Sequence, residues 1–227
     1  MKIGVLGAVD NEIMPFIRSM SHTVIKETAK LRFHIGQYAD IDVVALSCGV
    51  CKVNAAIASQ ILIDLHEVSH IIMVGVAGAI DETLHIFDTV VSTEIAYHDV
   101  DDNILTCYHP FMQKSWFEGD KELVDRIIHA NADHRAVIAG KIVTGETFIE
   151  QSGRDRIIKK FDPLCVDMET ASVAHVCYVN SIPFAAIRSM SDTPHESGID
   201  AFEKYVDQAA CKSIDVLKRF LEQLQSI

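Results

Sequence analysis

Short apolar runs alternate with longer segments that are apolar on one side only, along the whole chain. This alternation restricts the fold more than any other feature. Lys2–Ala8 and Ile71–Val76 are continuous apolar runs flanked by small residues and too short for helices, so they read as buried parallel strands. Ala136–Val143, Leu164–Met168 and Pro183–Ser189 predict further strands, Thr89–Ala96 is rich in β formers, and Phe33–Tyr38 with Asp42–Ser47 predicts a hairpin across a short polar turn. Between the strands, apolar residues recur at helical spacing. Ile13, Phe16 and Ile17 follow Asp10, which is placed to cap a helix; Ile57, Ile61 and Leu65 mark a helix over Val53–His66. Lys121–Ala130, Glu150–Lys160 and Glu169–Val179 are also helical. Phe202–Leu224 predicts a long last helix with Val206, Ala209, Ala210, Ile214 and Leu217 on one side.

Strand and helix in alternation imply an α/β fold: a mixed, mostly parallel twisted sheet surrounded by helices. No Pro/Ser/Gly-rich linker interrupts residues 1–227, which predicts a single domain. With 49% hydrophobic and 23% charged residues, the chain has ample material for a core. Its 20 basic against 32 acidic residues leave a net charge of −12, which disfavours nucleic acid and anionic membrane surfaces as partners. No apolar run reaches the roughly 20 residues of a membrane span, and the apolar stretch at the N-terminus is too short for the core of a signal peptide. The expectation is a cytoplasmic protein whose six cysteines act mostly as small buried hydrophobes.

In an open α/β sheet, ligands bind beyond the carboxyl ends of the strands. Glu12 falls just after the first strand, Glu169 after the strand ending at Asp167, and Asp192 after the last, with Arg188 close by. Three carboxylates on one rim suit a reaction that builds positive charge, such as glycoside-type cleavage through an oxocarbenium-like transition state. One would protonate the leaving group, one would activate water and one would hold sugar hydroxyls. Each has a plainer reading as well: Glu12 and Glu169 can complement helix dipoles, and Asp192 can cap a helix.

Other signals are weaker. Cys48-Gly49-Val50-Cys51 has the spacing of a redox motif, but no supporting residues surround it, and a tight strand-to-helix turn accounts for it. His98, Asp99, Asp101 and Asp102 lack the spacing of metal ligands and read as a solvated loop. Gly4-Val5-Leu6-Gly7 does not complete a dinucleotide fingerprint. The irregular stretch Asp99–Gly119 carries Tyr108, Phe111, Trp116 and Phe117, which either bind something or tuck back onto the core.

Four segments in order carry a family resemblance: Gly4-Val5-Leu6-Gly7-Ala8-Val9-Asp10-Asn11-Glu12, Thr144-Gly145-Glu146-Thr147-Phe148-Ile149, Val166-Asp167-Met168-Glu169-Thr170 and Arg188-Ser189-Met190-Ser191-Asp192, with Phe202 beyond them. The sequence resembles the 5′-methylthioadenosine/S-adenosylhomocysteine nucleosidases of the purine nucleoside phosphorylase superfamily. The resemblance implies Asp192 as the acid that protonates adenine and Glu12 as the group that activates water. Glu169 would bind the ribose hydroxyls, with Met168 packed on the sugar. Phe148 would stack on adenine while the backbone of Ile149 reads its edge. Ser191 would orient Asp192, Arg188 would support the water and carboxylate network, and Phe202 would cover the 5′ group. Val9, Val50 and Val76 complete the implied substrate-binding set. Many members have Gly-Ser-Ala-Gly where this chain has Gly75-Val76-Ala77-Gly78, so Val76 has no hydroxyl to offer.

The resemblance therefore implies hydrolysis of the N-glycosidic bond of 5′-modified adenosines, releasing adenine without metal or other cofactor, in a homodimer with the Asp99–Gly119 region near its interface. A phosphate-dependent phosphorylase of the same superfamily is the alternative, although its early phosphate-binding arginine is missing; the first arginine here is Arg18. A non-catalytic nucleoside-binding protein is the remaining one.

Overall fold

The computed structural model describes residues 1–149, 151–196 and 198–225. Its elements run β1 (Lys2–Gly7), α1 (Asp10–Ile17), β2 (Ser21–Thr28), β3 (Leu31–Tyr38), β4 (Ile41–Ser47), α2 (Lys52–Asp64), β5 (His70–Ala79), β6 (Thr89–Tyr97), α3 (Ile104–Cys107) and β7 (Phe117–Glu118), followed by α4 (Lys121–Ala130), β8 (Val137–Thr144), α5 (Gln151–Phe161), β9 (Cys165–Asp167), α6 (Thr170–Asn180), β10 (Phe184–Asp192) and α7 (Ile199–Gln225). The expected strands and helices are all present. Glu150, the expected first residue of α5, lies outside the described residues.

β4, β1, β5 and β10 pair in parallel and form the centre of the sheet. From β10 the sheet turns back: β10 pairs antiparallel with β6, β6 pairs with β8, β8 with β9, and β9 antiparallel with β5. Five strands therefore close into a ring, where the strand–helix alternation predicts an open sheet. The short β9 makes closure possible, because Val166 and Cys165 pair with Gly78 and Ala79 at the far end of β5. Carboxyl ends of strands from both directions thus reach one cleft.

Helices cover both faces. α2 and α6 bury Ala58, Leu62, Val173 and Cys177 against one side, and α1, α4 and α7 bury Phe16, Ile127, Leu217 and Phe220 against the other. β1 serves both with period-two alternation, Leu6 facing the first set and Ile3 and Val5 the second. In α7 the buried positions Ala209, Ala210, Ser213, Ile214, Leu217 and Leu221 follow the helical repeat.

The opposite edge holds a strand that the sequence pattern does not reveal. β2 is exposed over nearly its whole length, so no face needs apolar residues and no alternation marks it. It joins β3 through Ala29 and Lys30, and β3 joins β4 through Ala39 and Asp40; all four residues have φ between 48° and 62°. Two-residue hairpin turns demand that left-handed backbone, and glycine or asparagine usually advertises it. Asp10 also departs from expectation. Val9 is the cap residue and Asp10 the first residue of α1, leaving the helix entry to be held by Glu12.

Candidate active site

Arg188 organises the cleft from beneath. It is fully buried on β10, and an unpaired guanidinium there would be prohibitively costly. Three carboxylates answer it: Asp167 Oδ2 lies 2.8 Å from Nε, Glu169 Oε2 3.2 Å from Nη2 and Glu12 Oε1 3.8 Å from Nη1. Burial works against the charge of Arg188, but these neighbours more than offset it and hold its pKa above the ordinary arginine value. Asp167 is not among the candidates that the sequence suggests. It accepts from Thr144 Oγ1 at 2.5 Å, from the backbone N–H groups of Glu169 and Thr170, and from the Thr170 hydroxyl. One signal could have revealed it: a charged residue closing a strand whose other members are apolar.

Glu12 sits in the first turn of α1 and is nearly inaccessible to solvent. Its Oε2 accepts from the N–H of Ala8 at 2.6 Å and of Val9 at 3.2 Å, and its Oε1 accepts from the N–H of Val76 at 2.8 Å. The helix-entry role is therefore real, but the same carboxylate also bridges to β5. Gly75 permits this approach: its φ is +142°, and a Cβ there would collide with Glu12 Oε1. Glu169 Oε1 accepts from the N–H of Cys51 at 2.9 Å while Oε2 faces Arg188. Burial pushes the Glu169 carboxyl up, and Arg188 opposes that shift.

Asp192 ends β10 and is also buried. Its Oδ1 lies 3.2 Å from the Ser191 hydroxyl, which can alternatively donate to the Ala77 carbonyl at 3.4 Å. Its Oδ2 is 3.5 Å from Nη2 of Arg154, a buried α5 residue that is likewise absent from the sequence-derived candidates. Gly78 leaves the carboxylate room, since a Cβ there would stand 2.9 Å from Oδ2. Burial pushes the Asp192 carboxyl up, with Ser191 and Arg154 pulling the other way. A buried carboxyl with so few donors is suited to carrying a proton.

The walls are apolar. Val9, Val50, Val76, Met168, Phe148, Ile149 and Phe202 line the same cleft as Glu12, Glu169, Ser191 and Asp192. The rings of Phe148 and Phe202 meet edge to face with centroids 6.0 Å apart. Every candidate except Arg188 lines the cleft, and Arg188 reaches it through the carboxylates. Such a site can take a flat apolar ring joined to a hydroxylated group, with carboxyl groups near both parts.

The weaker signals resolve differently. Asp99 pairs with Lys52 at 2.9 Å and accepts from the N–H of Glu146, while Asp102 pairs with Lys160. Among the described residues no group of three or more His, Cys, Asp or Glu side chains could hold a metal ion. Cys48 and Cys51 are free thiols at the turn into α2, and Cys51 carries φ of +75° while its N–H serves Glu169. The aromatics of the 99–119 stretch divide. Phe117 is buried beside Tyr97 and His175 and Trp116 packs on Phe161, whereas Tyr108 and Phe111 are exposed.

A model of the phosphorylase superfamily matches residues 2–222. A 5′-methylthioadenosine/S-adenosylhomocysteine nucleosidase of Bacillus pumilus is 33% identical over 99% of this chain and 100% of its own length. The nucleosidase of that name from Colwellia psychrerythraea, solved in complex with adenine, is 33% identical with a TM-score of 0.88, covering 99% of this chain and 96% of its own. The futalosine hydrolase of Helicobacter pylori is 26% identical with a TM-score of 0.90, covering 98% of each chain.

Proposed function

The chain belongs to the phosphorylase superfamily and within it to the 5′-methylthioadenosine/S-adenosylhomocysteine nucleosidases, and from that membership we propose how its cleft works. The protein is an N-ribosyl hydrolase that releases adenine from 5′-modified adenosines. In our reading the bond between the ribose anomeric carbon and adenine breaks with its electron pair going to the base. Asp192 delivers a proton to the imidazole-side nitrogen of adenine as that charge develops. Water adds to the anomeric carbon and yields a proton to Glu12. Glu169 holds the ribose hydroxyls, which its two fixed oxygens suit, and Met168 packs on the sugar.

Phe148 and the backbone of Ile149 hold the base, Phe202 covers the 5′ substituent, and Val9, Val50 and Val76 complete the apolar wall. Ser191 orients Asp192, and Arg188 keeps the carboxylates in place. One contrast carries this division of labour. Glu12 receives three backbone N–H donors, as a proton acceptor should, while Asp192 is buried with a single hydroxyl and a distant guanidinium, as a proton donor should be.

The test is adenine release from 5′-methylthioadenosine with and without phosphate. Equal rates, with the free sugar as the second product, are expected; phosphate-dependent formation of the sugar 1-phosphate would instead establish a phosphorylase. No release with either nucleophile would point to a binding protein.

We read residues 1–227 as one domain that works as a cytoplasmic homodimer in methionine salvage. Among the described residues no helix is long and apolar enough to cross a membrane. Support for a dimer comes from exposed apolar residues on α2 and the 99–119 stretch: Val53 is 69% exposed, Tyr108 63% and Phe111 68%. Phe111→Asp should halve the mass seen by light scattering; a native monomer would overturn this reading.

A further inference from the structure

Arg154 lies outside the carboxylate cluster around Arg188, yet among the described residues it is a buried side chain with polar atoms left unpartnered. The residue is only 3% exposed. Its Nε and Nη1 have no hydrogen-bond partner among the described residues, and its one charged contact is Nη2 to Asp192 Oδ2 at 3.5 Å. Buried cations are normally saturated with partners, as Arg188 is. A fold that retains a buried, half-satisfied guanidinium beside one carboxyl has placed it there for that carboxyl.

We propose that Arg154 is a positioning residue for the hydrolysis: its guanidinium holds Asp192 Oδ2 in place and stabilises the carboxylate left behind when Asp192 gives its proton to the departing base. The inference rests on the reading of Asp192 as the acid. The step balances: the proton passes from Asp192 to a ring nitrogen of adenine, the electron pair of the broken bond stays with the base, and the new negative charge on Asp192 appears 3.5 Å from a positive one. Stabilisation that grows as the proton leaves acts on the transition state more than on the bound substrate.

Among the described residues no other charged neighbour performs this task. On its own strand Asp192 meets only the Ser191 hydroxyl, and β5 presents Gly78. From β9, the Cys165 thiol is held protonated by complete burial. Arg154 from α5 is the cation that faces it among the described residues. The long, imperfect contact also fits. A tight bidentate pair would keep Asp192 ionised and useless as an acid, whereas no cation at all would leave it reluctant to release its proton.

The test compares the native protein with Arg154→Met, Arg154→Gln and Arg154→Lys over pH, following adenine release. Ionisation of Asp192 sets the alkaline limb of kcat/KM. Without the cation its carboxyl ionises less readily, so both neutral variants should carry that limb upward by about 1 pH unit. On the acid side, kcat should fall about 3- to 10-fold with KM little changed. Arg154→Lys should keep the native limb within about half a unit. In an Asp192→Asn background, Arg154→Met should cost nothing further, because the group it acts through is gone. An unmoved limb in folded neutral variants overturns the proposal. So does a lysine variant with a shifted limb, should the neutral ones fail to fold. If the native protein releases no adenine at all, the reading of Asp192 itself fails; if it does and only the limb stays put, Arg154 is a packing residue.

Discussion

Two buried arginines back the carboxylates of the cleft and are treated in opposite ways. Arg188 meets three carboxylates, the Val74 carbonyl and the Met73 sulfur, and its pKa is driven up. Among the described residues Arg154 meets one carboxylate at 3.5 Å and leaves Nε and Nη1 without a partner, and burial drives its pKa down, with Asp192 opposing only in part. The first arrangement fixes geometry, since each carboxylate it grips is also held by backbone N–H groups from other elements. The second leaves its carboxyl free to exist as the acid. Saturation and under-saturation of the same guanidinium chemistry thus separate the half of the site that positions from the half that delivers a proton.

Breaking the saturated side should have the largest effect. Arg188→Met leaves Asp167, Glu169 and Glu12 facing one another without a counter-charge, and should cost about 3–5 kcal/mol of stability. Urea unfolding of that variant against the native protein measures it; a loss below about 1 kcal/mol would mean the carboxylates do not depend on Arg188. On the proton-donating side, Asp192→Asn should lower turnover by about 10²- to 10⁴-fold while substrate analogues still bind, because the amide has no proton to give. Near-native turnover would remove Asp192 from its role. Glu12→Gln should impair hydrolysis comparably, with no rescue by phosphate.

Val76 tests how finely the positioning side is tuned. Its N–H serves Glu12 and its side chain lines the cleft, so the family hydroxyl would face the reacting groups rather than the core. Val76→Ser should raise turnover on 5′-methylthioadenosine modestly or leave it level, within the roughly 0.5–1.5 kcal/mol, about 2- to 10-fold, of one hydrogen bond. A large fall would show that the valine methyls are part of the substrate surface.

The smallest expected effect serves as a control away from both arginines. Burial lowers the pKa of His98 and His175, so below about pH 6.5 the unfolded chain takes up protons that the folded one refuses. Stability then falls as the pH falls through that range. His175→Phe, which keeps the stack on Phe117, should flatten the decline by under about 1 kcal/mol between pH 7 and 5. Thermal melts at the two pH values would show it; an unchanged slope would assign the acid loss to other groups.

Much of this molecule is readable without any coordinates. Periods of 2 and 3.6 residues are local properties, so strands with a buried face and helices with an apolar stripe declare themselves. Carboxylates just beyond strand ends come from the same reading, and Glu12, Glu169 and Asp192 do line one cleft. β2 stays hidden because a strand exposed on both faces has no pattern to show, and its Ala29-Lys30 turn lacks the usual residues. Ring closure stays hidden although the strand of β9 is expected, because its antiparallel pairing with β5 is a long-range choice that no local period records.

Asp167 and Arg154 mark the boundary most clearly. Each is an ordinary charged residue in sequence, and each acquires its meaning from a partner on a distant strand. Sequence alone determined which chemical groups the site could contain. Tertiary structure decided which of them lost their water and to whom they were then paired, because desolvation and a Coulomb energy that varies as the inverse of distance depend on what packs nearby in space, not on what is adjacent along the chain.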